Sequence, residues 1–217
     1  MKSALRINII FFFFCNVLSL TAQQNKIDTI SEDELDNPDE IIFLKVSYLT
    51  PNPIQNNFAS EALGFNYGYN FDINYKFPFQ LLIGYKYQFM RAEPTEISLI
   101  GNYGRTNINT HGLNIGYKID LAKRIDFEPF VTLAFTNYNN KKFFSSNYQN
   151  RINFRDTAYT LIFSSSVIYR ISKLLSIFLQ PDYRLDYTNI KTATEIQEFF
   201  SKAQYFNIQV GLRFAFD

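Results

Sequence analysis

The sequence predicts an all-β fold, an eight-stranded antiparallel up-and-down transmembrane β-barrel. Three observations carry that expectation: one stretch that alternates without exception, seven recurrences of the same alternation, and a regular exchange of short and long connections. The stretch is Leu63 to Phe77. Leu63, Phe65, Tyr67, Tyr69, Phe71, Ile73, Tyr75 and Phe77 are apolar or aromatic, and Gly64, Asn66, Gly68, Asn70, Asp72, Asn74 and Lys76 stand between them. Drawn at the chain's 47% hydrophobic fraction, such a run would arise roughly a few times in 10⁵ tries. Successive side chains on a strand point to opposite faces, so one face is greasy and the other polar. A strand this long suits a tilted crossing of a bilayer better than a soluble sheet.

The other strands follow the same rule. The first runs near Ile42 to Tyr48. The third carries Leu81, Ile83, Tyr85, Tyr87 and Phe89, and the fourth Leu113, Ile115, Tyr117 and Ile119. The fifth has Phe127, Val131, Leu133 and Phe135; the sixth Tyr159, Leu161, Phe163, Val167 and Tyr169. Leu175, Ile177, Leu179, Tyr183 and Leu185 mark the seventh, and Phe206 to Phe216 at every second position the eighth. Short links are expected at 76–80, 121–125 and 171–174, and long polar ones at 50–61, 91–107, 139–157 and 188–202. Short turns at one end and long loops at the other match an outer-membrane barrel, with turns and both chain ends periplasmic. Tyr67, Tyr138, Tyr159 and Tyr187 near the loop ends, with Tyr75 and Tyr169 near the turns, are expected to form two aromatic girdles.

Composition agrees. Aromatic residues make up 18% of the chain, with 15 Tyr, 24 Phe and no Trp, yet beyond residue 22 the longest unbroken apolar run is Ile41 to Leu44. Residues 1–22 read as a secretory signal peptide: Lys2 and Arg6 open it, Ile7 to Leu20 are apolar, and Ala22 suits the cleavage site. Cys15, the only cysteine, lies inside it behind three large phenylalanines, which disfavours lipidation. A mature chain from residue 23 has no thiol, which excludes disulfides, cysteine nucleophiles and thiolate metal sites. Residues 23–40 hold seven carboxylates against Lys26 and read as an acidic, disordered periplasmic leader, free to meet a periplasmic partner. Residues 41–217 form the barrel. The rival is a soluble lipocalin-like barrel with its apolar face inward. Strand length, the mixture of Gly and Asn with charges on the polar face, and the aromatic last strand argue against it.

On these residues the chain resembles the eight-stranded outer-membrane β-barrel family of Bacteroidota-type bacteria, in the broad OmpA/OmpX-like class. The resemblance rests on the leader ending Thr21–Ala22–Gln23–Gln24, the eight strands, and the final Val210–Gly211–Leu212–Arg213–Phe214–Ala215–Phe216. It implies a porin-like architecture in a Gram-negative cell envelope and recognition of the last strand by barrel-assembly machinery. Asp217 after the terminal Phe216 departs from the pattern. Members of such a class differ in function, so the resemblance transfers architecture and location.

With the polar face inward, the lumen would hold Lys45, Lys76, Lys86, Lys118, Arg170, Arg184 and Arg213 against Asp72, Asp120, Asp126, Glu128, Asp182 and Asp186. Seven positive and six negative groups are expected to close the lumen as an ion-pair network, because an eight-stranded barrel is filled by its own side chains. A narrow small-solute path is the alternative. His111 is the only histidine, so a site needing two imidazoles is excluded. It sits on the lipid-facing parity, near the depth at which an outer-membrane lipid-modifying enzyme would act, without a serine or carboxylate beside it. No cofactor, metal site or catalytic constellation is expected. The exposed segment with Lys141, Lys142, Phe143, Phe144, Tyr148 and Arg151 interleaves basic and aromatic residues. It is a candidate surface for lipopolysaccharide, outer-membrane lipid or a protein partner; nucleic acid is not expected. The sequence therefore points to a non-enzymatic structural or surface-interaction role.

Overall fold

The computed structural model describes residues 41–101, 103–141 and 154–216. Eight long strands form the wall: β1 (Ile42–Thr50), β3 (Leu63–Lys76), β4 (Leu81–Pro94), β5 (Arg105–Tyr117), β7 (Ile125–Lys141), β8 (Phe154–Arg170), β9 (Leu175–Thr188) and β10 (Lys202–Phe216). Each pairs antiparallel with the next, and β1 pairs with β10, which closes the sheet into a barrel. Two short strands lie outside this ring: β2 (Pro53–Ile54) pairs with β10, and β6 (Ile119–Ala122) with β7.

The register fixes the shape. Ile42 faces Tyr75, and the same rung runs through Ile83, Ile115, Val131, Phe163, Tyr183 and Phe206. The Phe206 amide then donates to the Asn52 carbonyl at 2.9 Å. One circuit has climbed from residue 42 to residue 52, a stagger of ten residues, so the strands must tilt steeply to the barrel axis.

Polarity is inside out. Leu113, Ile115, Val131, Leu133, Ile208 and Leu212 are among the exposed apolar residues, whereas Lys45, Asp72, Lys86, Arg184 and Arg213 are buried. The soluble-barrel alternative needs the opposite arrangement. Tyr67, Tyr159 and Tyr187 face outward toward the loop end, Tyr75 and Tyr169 toward the turn end. Tyr138 does not join them: it is 2% exposed, inside the lumen. Its position is even on a strand whose outward residues, Val131, Leu133 and Phe135, are odd, and strand parity decides over residue type.

The turn and loop ends also differ from expectation in extent. β4 runs on to Pro94, β5 begins at Arg105, and β7 reaches Lys141. Beyond the expected bounds the chain is polar on both faces (Thr106 and Asn140 inward, Arg105, Asn107, Asn139 and Lys141 outward), so it carries no apolar period although the ladder continues. Two of the long connections hold short helices, α1 (Phe58–Ala62) and α3 (Gln197–Ser201), and a third holds α2 (Ile97–Ile100). The 142–153 connection, and with it Lys142, Phe143, Phe144, Tyr148 and Arg151, lies outside the described residues, as do the signal and leader segments at 1–22 and 23–40.

Small residues admit large ones across the narrow interior. Gly116 lies opposite Phe130, whose buried ring covers it, and a Cβ there would sit 2.7 Å from the Pro129 carbonyl oxygen. Gly116→Val should therefore overpack the wall and lower stability by about 1–3 kcal/mol, read as an earlier urea midpoint of the refolded barrel. An unchanged midpoint would mean that Phe130 does not occupy that space.

Candidate functional site

The interior polar groups fall into three tiers joined across non-neighbouring strands. At the turn end, Asp126 is the hub: Arg170 Nη2 reaches it at 2.8 Å, Arg213 Nη1 at 3.1 Å and Lys118 Nζ at 3.8 Å. Asp120 bridges Lys118 at 3.0 Å and Arg170 at 3.5 Å from the rim, where its side chain is 49% exposed. Next above, Lys45 Nζ meets Glu128 at 2.7 Å and donates to Ser166 Oγ at 3.1 Å, with the Phe130 ring 4.7 Å away. Lys76 is half-buried at the end of β3, with its Nζ 6.0 Å from the Phe43 ring.

The middle tier is mostly amide and carboxylate. Lys86 pairs with Asp72 at 3.2 Å, and Asn70 donates to the same Asp72 oxygen at 2.9 Å. Asp182 accepts from Asn207 at 2.7 Å and from Gln209 at 2.5 Å. It therefore answers amides, not the arginine two residues away.

Arg184 and Asp186 form the upper tier. Two strand neighbours of equal parity lie on one face, and their side chains meet as a bidentate fork, Nε to Oδ1 and Nη2 to Oδ2, both 2.8 Å. Arg184 Nη1 donates to Gln88 Oε1 at 2.5 Å and Nη2 to Thr136 at 2.9 Å. Asp186 accepts from Thr160 at 2.7 Å and from the Tyr138 hydroxyl, which in turn lies 3.1 Å from Tyr205. Each nitrogen of the guanidinium and each oxygen of the carboxylate therefore has a partner, the condition under which a buried pair holds together. Gln88, Thr136, Thr160, Tyr138 and Tyr205 escaped the charge-based reading of the sequence. Parity alone could have found them, since each shares a face with a lumen charge or glycine on its own strand.

Both ends of the lumen are apolar. Phe43, Leu82, Phe130 and Ala215 cluster at the turn end. Leu49, Leu63, Met90 and Ile108 line the loop end, where α1 and α3 supply Phe58 and Phe200 as a plug. The two rings stack at 5.7 Å, and Phe58 also meets the edge of Tyr138 at 5.9 Å. Asn57 fixes α1 by a capping box: its side chain accepts from Ala59 N at 3.0 Å and Ser60 N at 3.3 Å, while Ser60 Oγ accepts from Asn57 N at 3.2 Å. Beside the plug lies a cavity of about 410 Å³ whose walls include Leu99, Tyr103, Asp156 and Ile190. Burial raises the Tyr103 phenol above its ordinary value.

His111 is on the outer face, as its parity requires. Its Nδ1 is 2.5 Å from the Tyr85 hydroxyl and its ring 5.0 Å from that of Tyr87. Among the described residues its partners are thus phenols rather than a carboxylate or serine, and no group of three or more His, Cys, Asp or Glu is placed to hold a metal ion. No described helix is long and apolar enough to cross a membrane.

Solved structures match this architecture. Neisserial surface protein A aligns over 81% of this chain and 97% of its own, with a TM-score of 0.52 and 11% identity. OprG, an outer membrane protein from Pseudomonas aeruginosa, aligns over 84% and 98%, at 0.54 and 8%. A major outer membrane protein from Thermus thermophilus aligns over 81% and 99%, at 0.50 and 10%. At such identities the likeness is one of fold: the chain is a closed eight-stranded antiparallel barrel of the kind found in outer-membrane proteins. No protein-family model and no curated protein sequence matches the chain.

Asp186→Ala would leave Arg184 buried without its carboxylate and should cost about 3–5 kcal/mol, whereas the double change Arg184→Met, Asp186→Leu should recover most of that loss. Urea titration of the refolded variants checks both; equal losses for the single and double variants would mean that the pair is not what the tier depends on.

Proposed function

We propose that this chain is a bacterial outer-membrane protein with a closed, non-catalytic barrel, acting in envelope structure or in surface interaction through its long connections. The observation that carries this reading is the inverted polarity of a sealed wall. A ring with every strand paired can sit in hydrocarbon because no backbone group on its lipid face lacks a partner. An outer belt of Leu, Ile, Val and aromatic residues has no partner in water.

In this reading the short turns and both ends of the barrel are periplasmic and the loop end faces outward, as in barrels with short periplasmic turns and longer extracellular loops. Phe216 at the end of the closing strand would then present the assembly signal. The affinity with Bacteroidota-type barrels belongs to the same proposal. A non-enzymatic role is supported by the phenolic surroundings of His111 and the absence of a nucleophile beside it among the described residues. A closed lumen is supported by the two apolar clusters and the charge tiers between them.

The test is refolding in detergent, followed by gel electrophoresis with and without boiling, beside protease treatment of intact cells. A heat-modifiable band with cleavage confined to the long connections agrees with the proposal. A chain that stays soluble without detergent and shows no heat shift contradicts it. Planar-bilayer recordings should show no steady conductance; discrete openings of the folded barrel would move the reading to a channel. Leu113, 66% exposed midway along β5, gives a sharper check. Leu113→Arg should destabilise the barrel in vesicles by about 2–4 kcal/mol if that position faces the bilayer midplane, and hardly at all if it faces water.

A further inference from the structure

We propose that the outer wall of β4, β5, β7 and β8 carries a docking site for a phosphorylated lipid, just above the apolar belt. The inference rests on the membrane reading above and adds the ligand class and the residues. On each of these four strands the outward positions change from apolar to polar toward the loop end. On β5 the order is Tyr117, Ile115, Leu113, His111, Asn109, Asn107, Arg105, and on β7 it is Val131, Leu133, Phe135, Asn137, Asn139, Lys141. β4 passes from Tyr85, Tyr87 and Phe89 to Arg91, and β8 from Leu161 and Tyr159 to Thr157 and Arg155. Four cations and four asparagines thus lie on adjacent strands at the edge of a lipid-facing surface.

Three observations mark this surface as a site and not only a solvated rim. First, Arg105 and Lys141 face each other directly across the ladder. Like charges in that position repel, a cost that a shared anion would remove. Second, Arg91 Nε, a donor on a residue that faces Asn107, has no hydrogen-bond partner among the described residues. Third, two of the asparagines, Asn109 and Asn139, spend their oxygens on neighbouring side chains. Asn109 Oδ1 accepts from the Tyr87 hydroxyl at 3.1 Å, and Asn139 Oδ1 from Arg155 Nε at 3.0 Å, which leaves each Nδ2 for an acceptor. Glu93 is the one carboxylate on these outward positions. It lies 3.9 Å from Arg91 and takes Asn66 at 3.0 Å, at the border of the patch. Across the barrel, β10 offers Lys202, laid over the Tyr187 ring at 5.7 Å.

Guanidinium forks and amide donors are the groups that hold phosphate oxygens. The belt below them, with Leu113, Leu133 and Leu161, gives acyl chains a surface to lie on. A soluble phosphorylated ligand would gain nothing from that belt, which is why the site is assigned to a lipid. The contact lies on the wall; the basic and aromatic segment at 142–151 is not needed for it.

The test uses the full chain folded in detergent micelles, with diphosphoryl lipid A or its dephosphorylated form added and retention read by native mass spectrometry. The wild type should retain the phosphorylated lipid preferentially. The variant R91Q/R105Q/K141Q/R155Q should weaken that retention at least about tenfold, while K123Q/R124Q/K173Q, at the turn end, should leave it unchanged. A heat-modifiable band for each variant shows that the barrel has folded. Equal retention by both variants, equal retention of the dephosphorylated lipid, or heparin binding that tracks the four cations with no lipid preference would overturn the assignment. A wild-type chain that never gives a heat-modifiable band would instead sink the membrane reading, and this one with it.

Discussion

The pairing of β1 with β10 is the constraint on which the rest of the molecule depends. Without it, the barrel would be a sheet with two open edges, and each edge would present unpaired amides and carbonyls. With it, from Ile42 against Phe216 to Thr50 against Ile208, each wall strand has two neighbours, and side-chain parity is fixed around the ring except beyond the β3 bulge between Phe65 and Tyr67, where Leu63 turns inward. Odd and even positions are then committed to lipid or lumen, and a residue's chemistry must follow from its place. Tyr138 shows the force of this rule: a side chain suited to a membrane interface is instead turned inward to bind Asp186.

Closure with eight strands and a ten-residue stagger also sets the width of the lumen. It is narrow enough that side chains from opposite walls meet, so Lys45 finds Glu128 and Arg213 finds Asp126 across the interior. Such buried pairs add little net stability against apolar packing, because desolvation offsets most of the attraction. Their consequence is specificity: removing one partner strands the other. The tiers therefore tie distant strands into one register, while Phe43 and Leu82 at one end and Phe58 and Phe200 at the other flank the ion pairs, of which only those of Asp120 reach the half-exposed rim.

Much of this was legible in the sequence, because a two-residue period over Tyr67–Phe77 or Leu175–Leu185 has one physical cause. Leu63 and Phe65 continue the period but pack inside against the loop-end cluster, because the β3 bulge before Tyr67 reverses the faces. Strand parity, the lumen side of Lys45, Asp72 and Arg184, and the outward face of His111 all follow from it. The period fails where both faces are polar. Residues 105–107 and 139–141 therefore read as loop although they are strand, and the cation-rich wall was divided between neighbouring loops. The plug was hidden for another reason: α1 and α3 are five residues each, too short for helical periodicity. The Asn57–Ser60 capping box was the available signal. Partners across the lumen, such as Arg184 with Gln88, depend on the stagger, which no local pattern encodes.

The central claim is the inverted polarity of the closed wall, and site-directed spin labelling of the chain in lipid vesicles tests it directly. Single cysteines placed one at a time over residues 131–135, in a chain lacking Cys15, would be labelled and probed for collision with molecular oxygen and with a water-soluble nickel chelate. Oxygen access should peak at 131, 133 and 135 and fall at 132 and 134, with the nickel complex excluded from the odd positions. High nickel access at the odd positions, or no alternation in oxygen access, would contradict a membrane barrel with its charges inside.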